Sequence, residues 1–206
     1  MHARYGVMLT LPRRLSHTTT LTPAEFAEVC AANPEAVLEL DADGRLVEMT
    51  PTGSSTSARN SRLIFQLQQW ADRYGDWLVF DSSGGFQLPD GSVRSPDASV
   101  VRLARWRALS EKERDGFAPL CPDLVVELAS TSGASPSNAP EALRRKMGSY
   151  MPNGARLGWL LLPQTRSAEV WEDGSGEPRV LSDPARLEAG PAFPGLTIDL
   201  QRIWEV

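Results

Sequence analysis

Two acids and one amine stand where they make most sense as one working group. Asp97 follows Arg94-Ser95-Pro96 and opens the run Ala98-Ser99-Val100-Val101, while Glu127 lies inside Leu124-Val125-Val126-Glu127-Leu128-Ala129, after Pro122-Asp123. In both stretches a proline and an acid lead into a short apolar segment, the pattern of a buried strand entered from a turn. An ionised carboxylate inside such a strand costs roughly several kcal/mol unless something compensates it. A divalent cation shared by Asp97 and Glu127 would do so, and such a cation also activates water for hydrolysis. Strand alternation turns Leu124, Val126 and Leu128 one way and Val125, Glu127 and Ala129 the other. The amine is Lys146, beside the inner stripe Leu143, Met147 and Tyr150 of a helix expected to be capped by Asn138 with Glu141 three residues on. Lys146 can reach inward to the carboxylates while Arg144 and Arg145 stay outside. Taken singly, Asp97 also reads as a turn cap and Lys146 as a surface charge. Glu127 is the hardest of the three to explain away.

The elements that must position these groups are legible in outline. Thr22-Pro23-Ala24-Glu25 has the form of a capping box with proline in the first turn, opening a helix with Phe26, Val29 and Cys30 inside. Val37-Leu38-Glu39-Leu40 and Arg45-Leu46-Val47-Glu48-Met49 flank Asp41-Ala42-Asp43-Gly44, the signature of a β-hairpin. Glu39 and Glu48 each read either as site carboxylates or as solvent-facing strand residues and salt-bridge partners. From Ser57 to Tyr74 the spacing predicts a long helix with Leu63, Leu67, Trp70, Ala71 and Tyr74 on its packed stripe. Its second stripe, Arg59, Arg62, Gln66, Gln69 and Arg73, reads as a solvated face, with a phosphate-tracking row as the sharper alternative.

Trp77–Phe80 and Gly85–Leu88 are expected as strands of an antiparallel meander that delivers Asp97. Ser110 with Glu113 forms a second capping box between the two acidic strands. Leu157–Leu162 reads as a core strand, Ala168–Trp171 with Arg179–Leu181 as an edge hairpin, and Thr197–Leu200 leads to a short terminal helix carrying Ile203 and Trp204.

At 206 residues, 41% hydrophobic and 23% charged, the chain has enough material for one sizeable core, read as a single domain over 21–206 behind a mobile leader at 1–20. The net charge of -5 argues against non-specific nucleic-acid binding driven by bulk charge, while leaving local contact open. No apolar run approaches the roughly 20 residues a membrane helix needs, and Pro12 interrupts Val7–Leu11, so a cytoplasmic protein is expected. Cys30 and Cys121 have no ligand-like spacing and read as packing thiols.

The order Glu39, Asp43-Gly44, Met49-Thr50-Pro51-Thr52-Gly53, Ser95-Pro96-Asp97, Pro122-Asp123, Glu127, Lys146, Tyr150, Gly154, Trp159 and Pro194-Gly195 resembles the Uma-two family of restriction endonucleases, within the PD-(D/E)XK nuclease superfamily. The resemblance implies an α/β, restriction-endonuclease-like fold: a mixed central β-sheet flanked by helices, with additional N-terminal and C-terminal β-hairpins. It implies a magnesium-dependent endonuclease acting on DNA, with Mn2+ as a substitute cation, and often a homodimer. Asp97 and Glu127 match the acidic metal ligands, Glu39 is a further candidate ligand, and Asp97, Glu127 and Lys146 form the catalytic set. The motif lysine usually stands two residues after the glutamate, at Ala129 here, and the family displaces it to the following helix, where Lys146 matches. Two departures stand out: Leu162 replaces an acid, and Ser130-Thr131-Ser132 lacks a proline. They support an alternative, a weakened or inactive nuclease fold that binds nucleic acid or a protein; a hydrolase of another phosphate ester is a third reading.

Overall fold

The computed structural model describes residues 20–49, 52–131, 137 and 139–206. The expected leader, apart from Thr20, lies outside the described residues. So do Thr50, Pro51 and Ser132 of the motif stretches and the expected helix cap Asn138.

Local signals produce most of the elements. Helix α1 (Pro23–Ala32) starts at the Thr22 and Glu25 capping box, and α4 (Glu111–Asp115) at the Ser110 and Glu113 box. Strands β1 (Val37–Leu40) and β2 (Leu46–Met49) form the expected hairpin. Gly44 in that turn has φ +77 and lies against the Leu21 backbone, so a side chain there meets both strain and a clash. Helix α2 runs from Ser54, one turn earlier than the sequence suggests, to Tyr74, and ends at Gly75 in the left-handed conformation.

The strands β3 (Trp77–Asp81), β6 (Ala98–Arg102), β7 (Leu124–Leu128), β8 (Leu157–Leu162), β9 (Ser167–Glu172) and β10 (Arg179–Ser182) make one sheet in the order β10-β9-β8-β7-β6-β3. Strands β7 and β8 are parallel, joined through helix α5 (Pro140–Tyr150); the other neighbours are antiparallel. The sheet is therefore mixed. Every residue of β7 and β8 is buried, as expected of strands covered on both faces.

On one face Leu124, Val126, Leu128, Trp159 and Leu161 pack against Leu63, Leu67 and Trp70 of α2. The same face takes the C-terminal cover of β11 (Arg186–Glu188), β12 (Thr197–Asp199) and α6 (Gln201–Trp204). On the other, Val125, Ala129, Leu160 and Leu162 pack against Leu143, Met147 and Tyr150 of α5. The two-fold alternation expected in β7 is thus the division between two cores. Helix α3 (Leu103–Arg107) and α4 lie in the connection between β6 and β7.

Two sequence expectations require correction. The meander does not form, because β3 pairs with β6, while β4 (Phe86–Gln87) and β5 (Val93–Arg94) join β1 and β2 in a separate sheet of order β2-β1-β5-β4. The Ser82-Ser83 turn after β3, followed by Gly84-Gly85, carries the chain from one sheet to the other.

The polar stripe of α2 is not a uniformly solvated row either. Arg59 is buried and donates through Nε to Ile203 O at 3.1 Å and through Nη2 to Val206 O at 2.9 Å. Gln66 exchanges two hydrogen bonds with the Asp199 backbone, as a paired strand would. Tyr74, expected in the packed stripe, is 43% exposed. Arg59→Ala is expected to lower unfolding stability by about 1–3 kcal/mol, because buried Ile203 O and part-buried Val206 O lose their charged donor. Urea unfolding measures this, with exposed Arg73→Ala, expected within about 0.5 kcal/mol of wild type, as control.

Candidate active site

The antiparallel register Ala98↔Val126 leaves Asp97 and Glu127 one residue further along, on adjoining strands. The pair is fixed by the backbone, since Leu128 N donates to Asp97 Oδ2 at 2.8 Å. From α2, Asn60 Nδ2 donates to the carbonyl of Asp97 at 3.1 Å and anchors the strand entrance.

Glu39 arrives from the other sheet. Pairing of Leu40 with Val93 brings β1 beside β5, so Arg94 Nη1 reaches Glu39 Oε2 at 3.1 Å and Ser95 N reaches Oε1 at 2.9 Å. Both carboxylate oxygens are therefore engaged. Glu39 is 1% exposed and pairs with Arg94 and Lys146, while Glu48 on β2 faces solvent.

Lys146 enters from α5. Its Nζ lies 2.7 Å from Glu39 Oε1, 2.9 Å from Glu127 Oε1 and 3.0 Å from Ser95 O, so each of three ammonium protons has an acceptor. Tyr150, one turn further along the helix, donates its hydroxyl to Glu127 Oε1 at 3.0 Å. The structure thus brings Glu39, Asp97, Glu127 and Lys146 to one point. Tyr150 and Arg94 are partners to which sequence reasoning assigns no such role, Tyr150 reading as part of the inner stripe of its helix and of the family pattern. The available signal is a hydroxyl on an otherwise apolar inward stripe, four residues after the lysine.

The balance of charge explains the electrostatics. Burial pushes Glu127 up to about 8 despite Lys146, with Asp97 and Glu39 adding to the rise. Asp97 is likewise raised, by burial first, with Lys146 opposing. Burial also disfavours charge on Glu39, but Lys146 and Arg94 outweigh it and hold the carboxyl below its usual range. For Lys146, burial pulls down while Glu127, Glu39 and Asp97 more than compensate, so the amine stays charged. Three carboxylates share two cations, and the shortfall falls on Glu127 and Asp97.

The cluster forms the floor of a cleft of about 990 Å³ walled by α2 on one side and by β1 and the segment before it on another. Leu162, where the resemblance implies an acid, and Ala129, from which the lysine is displaced to the helix, are both buried in the core behind α5. The lysine is held without either. Cys30 and Cys121 are free thiols, and burial raises Cys121 to about 12, in keeping with packing roles. Among the described residues no helix is long and apolar enough to cross a membrane.

A mixed sheet with two acids at adjoining strand positions, and an amine supplied by the crossover helix, defines a restriction-endonuclease-like fold. The chain belongs to the Uma2 family, described as "Putative restriction endonuclease", whose model matches residues 23–201. Among solved structures, the crystal structure of "a putative nuclease belonging to DUF820" from Anabaena variabilis matches with a TM-score of 0.73 and 17% sequence identity. The match covers 90% of this chain and 98% of that one, and at this identity the likeness is one of fold. None of the curated proteins compared matches the chain.

Proposed function

We propose that this chain is a metal-dependent endonuclease that hydrolyses DNA phosphodiester bonds in the cytoplasm, with Mg2+ as its cation and Mn2+ able to replace it. The observation that carries this reading is the convergence of Asp97, Glu127 and Lys146 on one cleft floor with too little positive charge for the carboxylates present.

The donor set fits a hard divalent cation. Among the described residues no three His, Cys, Asp or Glu side chains make a closed ligand cage. A cation there would draw on two carboxylates, with waters and substrate phosphate completing its shell, as Mg2+ commonly does. Asp97 and Glu127 would hold it; Glu39, the further candidate ligand, accepts from Arg94, Ser95 and Lys146 and in this reading positions Lys146. When bound, such a cation supplies Lewis-acid polarisation of the phosphate and acidification of water.

The protein's own residues do the rest. Leu128 N fixes one oxygen of Asp97, and Tyr150 fixes the rotamer of Glu127. By releasing one of its three acceptors, Lys146 can orient the attacking water or offset charge building on the phosphorane. A homodimer, as the family resemblance implies, would set two such clefts on one substrate, and sedimentation measures it.

Supercoiled plasmid incubated with Mg2+ or Mn2+ tests the reading. Nicking by wild type and its loss in Asp97→Ala are expected; identical behaviour of the two proteins at matched purity overturns it. The inactive-scaffold alternative predicts no carboxylate-dependent cation binding. The raised carboxyl of Glu127 adds a pH test, since a proton on it competes with the cation. Mn2+ affinity in titration calorimetry is expected to rise as pH climbs towards about 8 and then level off. Affinity independent of pH across that window, or unchanged in Asp97→Ala, contradicts the assigned ligands.

A further inference from the structure

The walls of the cleft point to the form of its substrate. Among the described residues lining it, Lys146 is the sole cation, and its protons are already directed at Glu39, Glu127 and Ser95. A rigid duplex gripped through its phosphates needs rows of cations, which this cleft does not supply. What its α2 wall does carry is Phe65, 56% exposed, next to half-buried Ile64.

A single exposed phenylalanine needs no explanation by itself. Phe65, however, also walls a second recess of about 280 Å³, whose other lining residues are Arg62, Gln66 and Arg202. Arg62 stands one turn before Phe65 on α2 and donates through Nη1 to Arg202 O, which ties the recess to α6. Arg202 is 68% exposed, with Nε 3.6 Å from Asp199 Oδ2. The aromatic ring is therefore shared by the wall of the cleft whose floor is acidic and by a recess bearing two guanidinium groups. Guanidinium forks match phosphate oxygens, and an exposed ring matches the face of an unpaired base. In a duplex those faces are stacked on one another and closed to a side chain.

We propose that the occupant of the cleft is single-stranded DNA, with a base stacked on Phe65 and the neighbouring phosphate on Arg62 and Arg202. The position of the scissile bond at Asp97 and Glu127 rests on the nuclease reading above; the stacking and phosphate contacts do not. A splayed strand also explains how an acidic chain binds nucleic acid at all, because stacking supplies what bulk charge withholds.

The test is fluorescence anisotropy with a short labelled oligodeoxynucleotide carrying 2-aminopurine, with Ca2+ replacing Mg2+ to hold cleavage back. Single strand is expected to bind more tightly than the same sequence as duplex, with quenching of 2-aminopurine as the stacking signature. Phe65→Ala should weaken single-strand binding by about 5- to 150-fold, the loss of one base–aromatic stack, while Phe65→Trp retains binding. Because Phe65 is exposed, neither substitution should move the thermal midpoint. Arg62→Ala with Arg202→Ala should flatten the salt dependence, by a log–log slope of roughly 0.7 for each phosphate no longer neutralised. Equal or tighter duplex binding, unchanged binding by Phe65→Ala, or tighter binding of the matching RNA strand each overturns the proposal. The two readings fail separately. Single-strand binding with quenching but no cleavage of that oligonucleotide once Mg2+ or Mn2+ replaces Ca2+ removes the hydrolytic assignment alone, whereas cleavage of the oligonucleotide that ignores Phe65 removes the strand assignment alone.

Discussion

Lys146→Met is expected to lower unfolding stability by about 3–5 kcal/mol at neutral pH, the usual cost of removing one partner from a buried charge cluster. The methionine preserves stem length and apolar packing beside Leu143 and Met147, so the loss isolates the ammonium. Without it, Glu39 Oε1, Glu127 Oε1 and Ser95 O lose a donor at 2.7, 2.9 and 3.0 Å respectively. The pH dependence has a definite sign. Glu39 in wild type is held below its usual range, so its contribution is present above the unfolded carboxyl pKa and fades as pH falls through the folded one. In the variant only Arg94 is left to offset the three carboxylates, the folded state prefers Asp97 and Glu127 protonated, and acid relieves the repulsion. The gap between the two proteins should therefore be wide at pH 7.5 and narrow towards pH 4, below the ordinary carboxyl value of 4.5. Urea unfolding at both values measures it. A gap below about 1 kcal/mol, or one that does not change with pH, would mean that the ammonium does not occupy the cluster.

How much of this is readable from sequence differs by residue. The division of β7 into two faces follows from alternation alone, and both capping boxes from four-residue signatures, because those signals are local. The inward turn of Lys146 is also local, being set by its spacing from Leu143 and Tyr150. The place of Glu39 is not, because nothing within β1 says that β5 will lie beside it and bring Arg94 and Ser95 to its carboxylate. The same cause lies behind the failed meander. Hairpin logic pairs neighbours in sequence, whereas β3 finds β6 with its five-residue register and leaves β4 to another sheet. Arg59 looks like part of a solvated row because helical periodicity reports which side chains share a stripe and cannot report that β12 and α6 will cover half of it. Pairwise partners distant in the chain are thus where sequence reading runs out, and the site is built largely from them.

The second large effect is expected from Glu127→Gln, which should separate what the fold wants from what the chemistry needs. Glutamine keeps the length of the side chain and an oxygen that can accept from Tyr150 and Lys146, now at 3.0 and 2.9 Å from Glu127 Oε1, while removing the negative charge. That charge is costly where it sits, since burial pushes the carboxyl from 4.5 up to about 8. A folded pKa above the unfolded value means that the residue's contribution is fully present below about 4.5 and is lost as pH rises through about 8. The variant does not suffer that loss. It should match wild type near pH 4.5 and melt at a higher temperature at pH 9. On the proposed nuclease reading cleavage should move the other way, falling by about 10³-fold or more, because the variant would lack a ligand to the activating cation and its share of transition-state stabilisation, several kcal/mol. Mn2+ affinity should fall with it. Melting curves at the two pH values, calorimetric titration with Mn2+ and plasmid nicking on one preparation give the three readouts together. If the variant melted lower than wild type at pH 9 while still binding Mn2+ as tightly, Glu127 would be a structural partner of Lys146 and the cation would have to be held elsewhere. If it melted higher and lost both binding and nicking, the strain stored at Glu127 would be accounted for by the reaction it serves.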